Sequence, residues 1–138
     1  MRTKEDIEQY LNRCFSPDEI EEMGDGIYRI KDDLPEVNDI LILVSDPIVI
    51  FTARIMKVPT QNQSEFFRKL LEFNATELIS GAYGIDGDDI VVSDTLQLEN
   101  LDYNEFEAAL ESLAYALHQH YPELIKYADK PAESASAN

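Results

Sequence analysis

The sequence predicts an α+β domain in which an antiparallel sheet packs with helices in the order α-β-β-β-α-β-β-α. Three observations carry this reading. The apolar runs Ile40-Leu41-Ile42-Leu43-Val44 and Ile48-Val49-Ile50-Phe51 are joined by Ser45-Asp46-Pro47, where proline presets φ for a turn between two β-type stretches. Asp86-Gly87 separates the stretches 82–85 and 89–98, and Asp-Gly in that setting is a strong short-range hairpin signal. Leu101-Asp102-x-x-Glu105-Phe106 combines a capping box with a hydrophobic staple and marks the start of a final helix.

Each element can be justified in order. From Thr3, the spacing to Asp6 resembles a capping box, and Ile7, Tyr10, Leu11 and Cys14 recur at helical spacing until Ser16-Pro17 interrupts. This is a short amphipathic first helix. Residues 20–23 and 27–30 flank Gly24-Asp25-Gly26, which supplies positive φ at little cost. One or two short strands fit there, and 20–23 also fits a helical turn. The unbroken apolar run at 40–44 implies a strand covered on both faces, by helices on one side and a second subunit on the other.

Asn62-x-x-Glu65 marks the start of a second helix, on which Phe66, Phe67, Leu70, Leu71 and Phe73 spread over an arc of about 140°. Arg68, Lys69 and Glu72 take the opposite face. So wide a stripe suits a dimer interface, and a well-buried helix of a monomer has the same pattern. In the last strand Ile90, Val92, Leu96 and Leu98 share one face, which leaves Asp94 pointing inward, a placement that a β-bulge would explain. Phe106, Leu110, Leu113, Leu117, Tyr121 and Leu124 form one stripe of the final helix, where the late Pro122 can introduce a kink. The expected domain spans 1–129, and the small polar residues of 130–138 predict a disordered tail.

Composition narrows the function. A chain of 138 residues suffices for one domain that buries about two-thirds of its unfolded surface. Twenty-eight acidic against 11 basic residues give a formal charge of −17, a field that repels phosphate and argues against a nucleic-acid partner. Cys14 is the sole cysteine, so neither an intramolecular disulfide nor a thiolate zinc cluster is expected, in keeping with a reducing compartment. The first ten residues lack the apolar stretch of a signal peptide or membrane helix, which predicts a cytoplasmic protein without membrane insertion.

No catalytic or cofactor-binding pattern emerges. His118 and His120 lie two apart on a helix and project about 200° from each other, so they cannot share a metal from there. Asp86-Gly87-Asp88-Asp89 has the look of a calcium loop, but Ile90 stands at the third ligand position and Gln97 where a bidentate glutamate should close the site. Neither common glycine-rich phosphate loop is present. The expectation is a protein that is not an enzyme and uses no metal or cofactor.

The element order, together with Leu70-Leu71-Glu72-Phe73-Asn74, Gly81-Ala82-Tyr83-Gly84-Ile85 and Leu96-Gln97-Leu98-Glu99-Asn100-Leu101, resembles the bacterial YbjN-like proteins and the type III secretion (Tir) chaperones. The match runs from about Ile40 to Leu124. The resemblance implies a secretion-chaperone-like fold and a small acidic homodimer that holds an extended segment of another protein, of unknown identity, without a cofactor. It further implies that Phe66, Phe67, Leu70, Leu71 and Phe73 form or support the dimer interface, and that the first helix, through Ile7, Tyr10, Leu11 and Phe15, presents the partner groove. The alternative it carries is a YbjN-like regulator of signalling or envelope stress that acts through a folded partner.

Overall fold

The computed structural model describes residues 2–31, 39–78 and 80–129; the tail expected at 130–138 lies outside them. Helix α1 (Lys4–Cys14) starts at Thr3, whose backbone N–H donates to the Asp6 carboxylate at 2.8 Å. A 3-10 turn (Pro17–Glu19) leads to β1 (Ile20–Gly24) and β2 (Ile27–Ile30). The chain continues through β3 (Asp39–Ser45), β4 (Ile48–Lys57), α2 (Gln63–Thr76), β5 (Ala82–Asp86), β6 (Asp89–Gln97) and α3 (Tyr103–Leu124), then a 3-10 turn (Ile125–Tyr127).

Of the one or two strands that the sequence allows between Ile20 and Ile30, both form. The reason is Gly26, at φ 75°, where a Cβ would stand 2.8 Å from the Val44 carbonyl oxygen. That close approach lets the Val44 N–H donate to the Gly26 carbonyl at 2.7 Å, which ties the β1–β2 turn to β3. Every pairing is antiparallel, and the six strands lie in the order β1-β2-β3-β4-β6-β5, with β1 and β5 at the edges.

The helices cover one face of the sheet. Tyr28, Ile30, Ile42, Val49, Phe51, Ala53, Ile90 and Val92 alternate inward along their strands and are buried. Above them Phe106 of α3 meets Phe51 edge-on at 5.2 Å between ring centroids and Tyr10 of α1 at 5.5 Å. Aromatic pairs in these geometries add about 0.5–1.5 kcal/mol each beyond area burial. The Tyr10 hydroxyl donates to the Leu101 carbonyl at 2.8 Å, so α1 is pinned to the residue preceding the α3 cap.

Two local expectations change. Asn62 stands at the N-cap of α2 in the left-handed conformation (φ 58°) and its side chain makes no capping hydrogen bond. Glu65 instead accepts from the Tyr127 hydroxyl at 2.9 Å, and Asp129 accepts from the N–H and hydroxyl of Thr60, so the segment after α3 closes over the start of α2. The bulge expected at Asp94 lies in the neighbouring strand, where the register shifts between Arg54 and Met56. Ile55 and Met56 are consequently both buried, and Asp94 stays in register opposite Phe51.

Candidate partner-binding surfaces

The residues proposed from sequence to meet a partner separate into buried and accessible sets. Ile7, Tyr10 and Leu11 of α1 are core residues of this chain, as are Phe66, Leu70 and Phe73 of α2. Alternation explains this: α1 and α2 each have a face on the sheet, and these side chains fill it. Phe15, at the end of α1, is half-buried, as is Phe67. Leu71 is 67% exposed, which places it on the outer side of α2.

Phe15 contributes to a groove between the end of α1 and the middle of α3, about 260 Å³ in volume. Its apolar wall comprises Cys14, Phe15, Ile40, Leu110 and Ala114, while Glu107 and Glu111, one turn apart on α3, outnumber the single cation Arg13 at its rim. The walls are fixed by a short polar chain. Arg13 lies over the Tyr103 ring at 3.6 Å from the centroid, the Tyr103 hydroxyl donates to Glu107 at 3.0 Å, and it stands 3.5 Å from the Cys14 sulfur. Burial pushes the Cys14 thiol above its ordinary pKa, with Tyr103 opposing, so this cysteine is a packed thiol and not an activated nucleophile. The Tyr103 phenol is itself raised, first by its hydrogen bond with Cys14 and then by burial and Glu107.

A second surface is the face of the sheet that the helices leave bare. Register places Ile27, Leu43 and Ile50 in one cross-strand row and Arg29, Leu41 and Thr52 in the next. All six are half-buried, shielded by one another and by neighbouring side chains. The double apolar character of β3 is therefore real, but among the described residues only one of its faces is covered by helices. Ion pairs flank the bare face: Arg29 and Lys31 reach Glu21 at 3.5 and 3.7 Å on one side. On the other, Arg54 and Lys57 converge on Asp89. Four of the molecule's 11 basic residues thus sit here, paired, beside a half-buried aliphatic row.

Sequence reasoning had the signal for part of this. Alternating Leu41, Leu43, Ile48 and Ile50 announced a second apolar face, whereas the wall from Leu110 and Ala114 was hidden in the regular stripe of α3. Among the described residues no group of three or more His, Cys, Asp or Glu side chains is placed to hold a metal, and no helix is long and apolar enough to cross a membrane. Cys14 has Tyr103 as its polar neighbour, and His120 is buried beside Tyr83.

The family model CesT_Tir_1 matches residues 1–130. The chain belongs to the CesT_Tir_1 family. This CesT_Tir_1 protein has no match among curated proteins by sequence. Its fold is shared with solved structures. One is the crystal structure of the ExsC–ExsE complex, at 16% identity and TM-score 0.68 over 90% of this chain and 97% of the other. A second is YbjN from E. coli, described as a candidate transcription regulator, at 14% identity and TM-score 0.65 over 89% and 96%. A third is the Yersinia pestis type III secretion chaperone SycH in complex with a fragment of YscM2, at 15% identity and TM-score 0.60 over 84% and 97%. The CesT_Tir_1 protein is thus YbjN-like and type III secretion chaperone-like in architecture, with the six-stranded antiparallel sheet and three helices described above.

Proposed function

We propose that this protein is a non-catalytic chaperone or adaptor that works as a homodimer and holds an extended segment of another protein. The observation that carries the reading is the groove between α1 and α3, an apolar trough under an acidic rim. Such a trough suits a segment with an apolar anchor followed by Lys or Arg, because the anchor gains burial while Glu107 and Glu111 attract the cation. The family membership and the solved complexes of similar fold support a protein partner. Dimerisation is assigned to the accessible residues of α2, Leu71 and Phe67, with the buried Phe66, Leu70 and Phe73 supporting them from beneath.

The test is capture of the partner on the tagged protein from its native lysate, followed by binding of its isolated fragments. A short unfolded fragment that binds the wild type and not Phe15→Glu supports the proposal. Retention of nothing specific, or binding by fragments that ignores Phe15, overturns it. The likeness to YbjN favours a second reading, a regulator acting through a folded partner. That reading requires that only the intact partner binds.

A further inference from the structure

The edge strand β5 is closed by a lock that the proposed binding role does not use. Tyr83 lies on β5 directly opposite Val92 of β6. Its backbone is occupied by the side chain of Asn74 on α2. The Tyr83 N–H donates to Asn74 Oδ1 at 2.7 Å, and Asn74 Nδ2 donates to the Tyr83 carbonyl at 3.3 Å. A side-chain amide therefore stands where an added strand would have to pair, one of the ways in which sheets protect an edge. The Tyr83 side chain is fixed at its other end, where its hydroxyl meets Nδ1 of His120 on α3 at 2.7 Å.

His120 is held for this contact. It is 4% exposed, and its ring stacks on Phe73 at 3.9 Å with 4° between the planes. Its second nitrogen, Nε2, lies 3.9 Å from Oε1 of Glu77, the residue that caps the end of α2. The remaining charges facing it are Glu123 on α3 and Lys69 on α2. These two pair with each other at 3.4 Å, and Lys69 lies over the outer reach of the Phe73 ring at 5.6 Å. Burial lowers the imidazole pKa from its ordinary 6.5, and Glu77 and Glu123 oppose this without reversing it.

We propose that His120 is a proton-operated latch: neutral, it accepts the Tyr83 hydroxyl and keeps β5 seated under Asn74, and protonated, it withdraws that acceptor and loosens the Tyr83 anchor. The chemistry follows from the donor count. Neutral imidazole accepts at Nδ1 from the phenol and carries its proton on Nε2 toward Glu77. Imidazolium donates from both nitrogens, so the Tyr83 oxygen can stay on Nδ1 only as an acceptor and its own proton is left without a partner in a buried place, while the Glu77 carboxylate gains a cation. With the folded-state pKa depressed, the lock is intact above pH 6.5 and is lost as pH falls through the lower folded-state value. Acidification thus loosens the Tyr83 anchor that keeps the β5 edge under Asn74, independently of what occupies the α1–α3 groove.

The experiment is an NMR titration of the full chain that follows the His120 ring protons together with exchange of the Tyr83 amide, corrected for intrinsic rates. We expect His120 to titrate below 6.5 and Tyr83 protection to fall at least about tenfold across that titration, within what the loss of one buried hydrogen bond costs. In His120→Phe, which keeps the stacking and loses the acceptor, Tyr83 protection should already be reduced at pH 7.5 and should not change further on acidification. Titration of His120 at or above 6.5, Tyr83 protection independent of pH in the wild type, or the same acid-dependent drop in His120→Phe each overturns the latch. The wild-type titration decides the matter even where the variant does not fold.

Discussion

Asp94 on β6 pairs across the sheet with Phe51 on β4, and both side chains point into the core. Phe51 is fully buried and Asp94 is 8% exposed, with its Oδ2 buried and without a hydrogen-bond partner. An unsatisfied buried polar group costs about 1–3 kcal/mol, more when it carries charge. Asp94→Val should therefore raise the stability by about 1–3 kcal/mol, since it removes the orphaned oxygen and suits a strand. Urea unfolding with an unchanged slope and a higher midpoint is the expected result. A lower midpoint would show that the carboxylate is satisfied in solution.

The caps of α2 and α3 make a paired prediction. Asp102 accepts from the Glu105 N–H at 2.8 Å and its own N–H donates to the Glu105 carboxylate at 3.2 Å, so the α3 box is complete. Asp102→Ala should cost about 1 kcal/mol. Asn62 makes no side-chain capping bond and sits at φ 58°, a conformation glycine adopts freely. Asn62→Gly should stay within about 0.5 kcal/mol of the wild type in the same urea experiment.

These two caps also show where the sequence is legible and where it is not. Both obey the same Asx-x-x-Glu spacing, and only the second is flanked by a staple, with Leu101 and Phe106 both buried. At Asn62 the chain arrives in a left-handed turn, and Glu65 is claimed by Tyr127, a residue 62 positions away that local spacing cannot reveal. The helix order and the inward face of β6 were readable from periods of 3.6 and 2, and the β3–β4 and β5–β6 hairpins from the turn residues between their strands. The site was readable only by residue type. Apolar stripes on α1 and α2 record burial without saying whether the cover is this chain or another, so Ile7, Leu11 and Phe66 carried the same signal as Phe15 and Leu71. Which strand takes the extra residue of a bulge was likewise set by the β4–β6 pairing and not by either segment alone.

Two surfaces compete as the contact of the proposed homodimer, and single charges separate them. Leu71 is 67% exposed, so Leu71→Glu leaves the core intact and should convert the dimer to a monomer at micromolar concentration, as measured by light scattering. Leu43 lies on the bare sheet face between Ile27 and Ile50, and Leu43→Glu should leave the mass unchanged when α2 forms the contact. The reverse pattern would assign the interface to the sheet, where β3's second apolar face would find its cover. A monomeric wild type would remove the dimer from the proposal.

Acid should weaken the ion cluster at the β4–β6 end of the bare sheet face before it touches the hydrophobic core. The Asp89 carboxylate accepts from Lys57 and from Arg54, and these cations, Lys57 foremost, hold its pKa below the ordinary 3.8 against the opposing effect of burial. A carboxylate with a depressed folded-state pKa contributes stability that is present above the unfolded value and is lost as pH falls through the folded one. The window therefore lies below pH 3.8. Lys57→Gln should move the Asp89 titration upward, toward 3.8, as followed by the carboxyl carbon shift in NMR, because the largest stabilising contact to the charged form is gone. Arg54→Gln should move it in the same direction by less. Equal titration in the wild type and both variants would mean that the side chains of β4 are solvated independently of Asp89, and the bare face would then be flanked by cations that Asp89 does not neutralise.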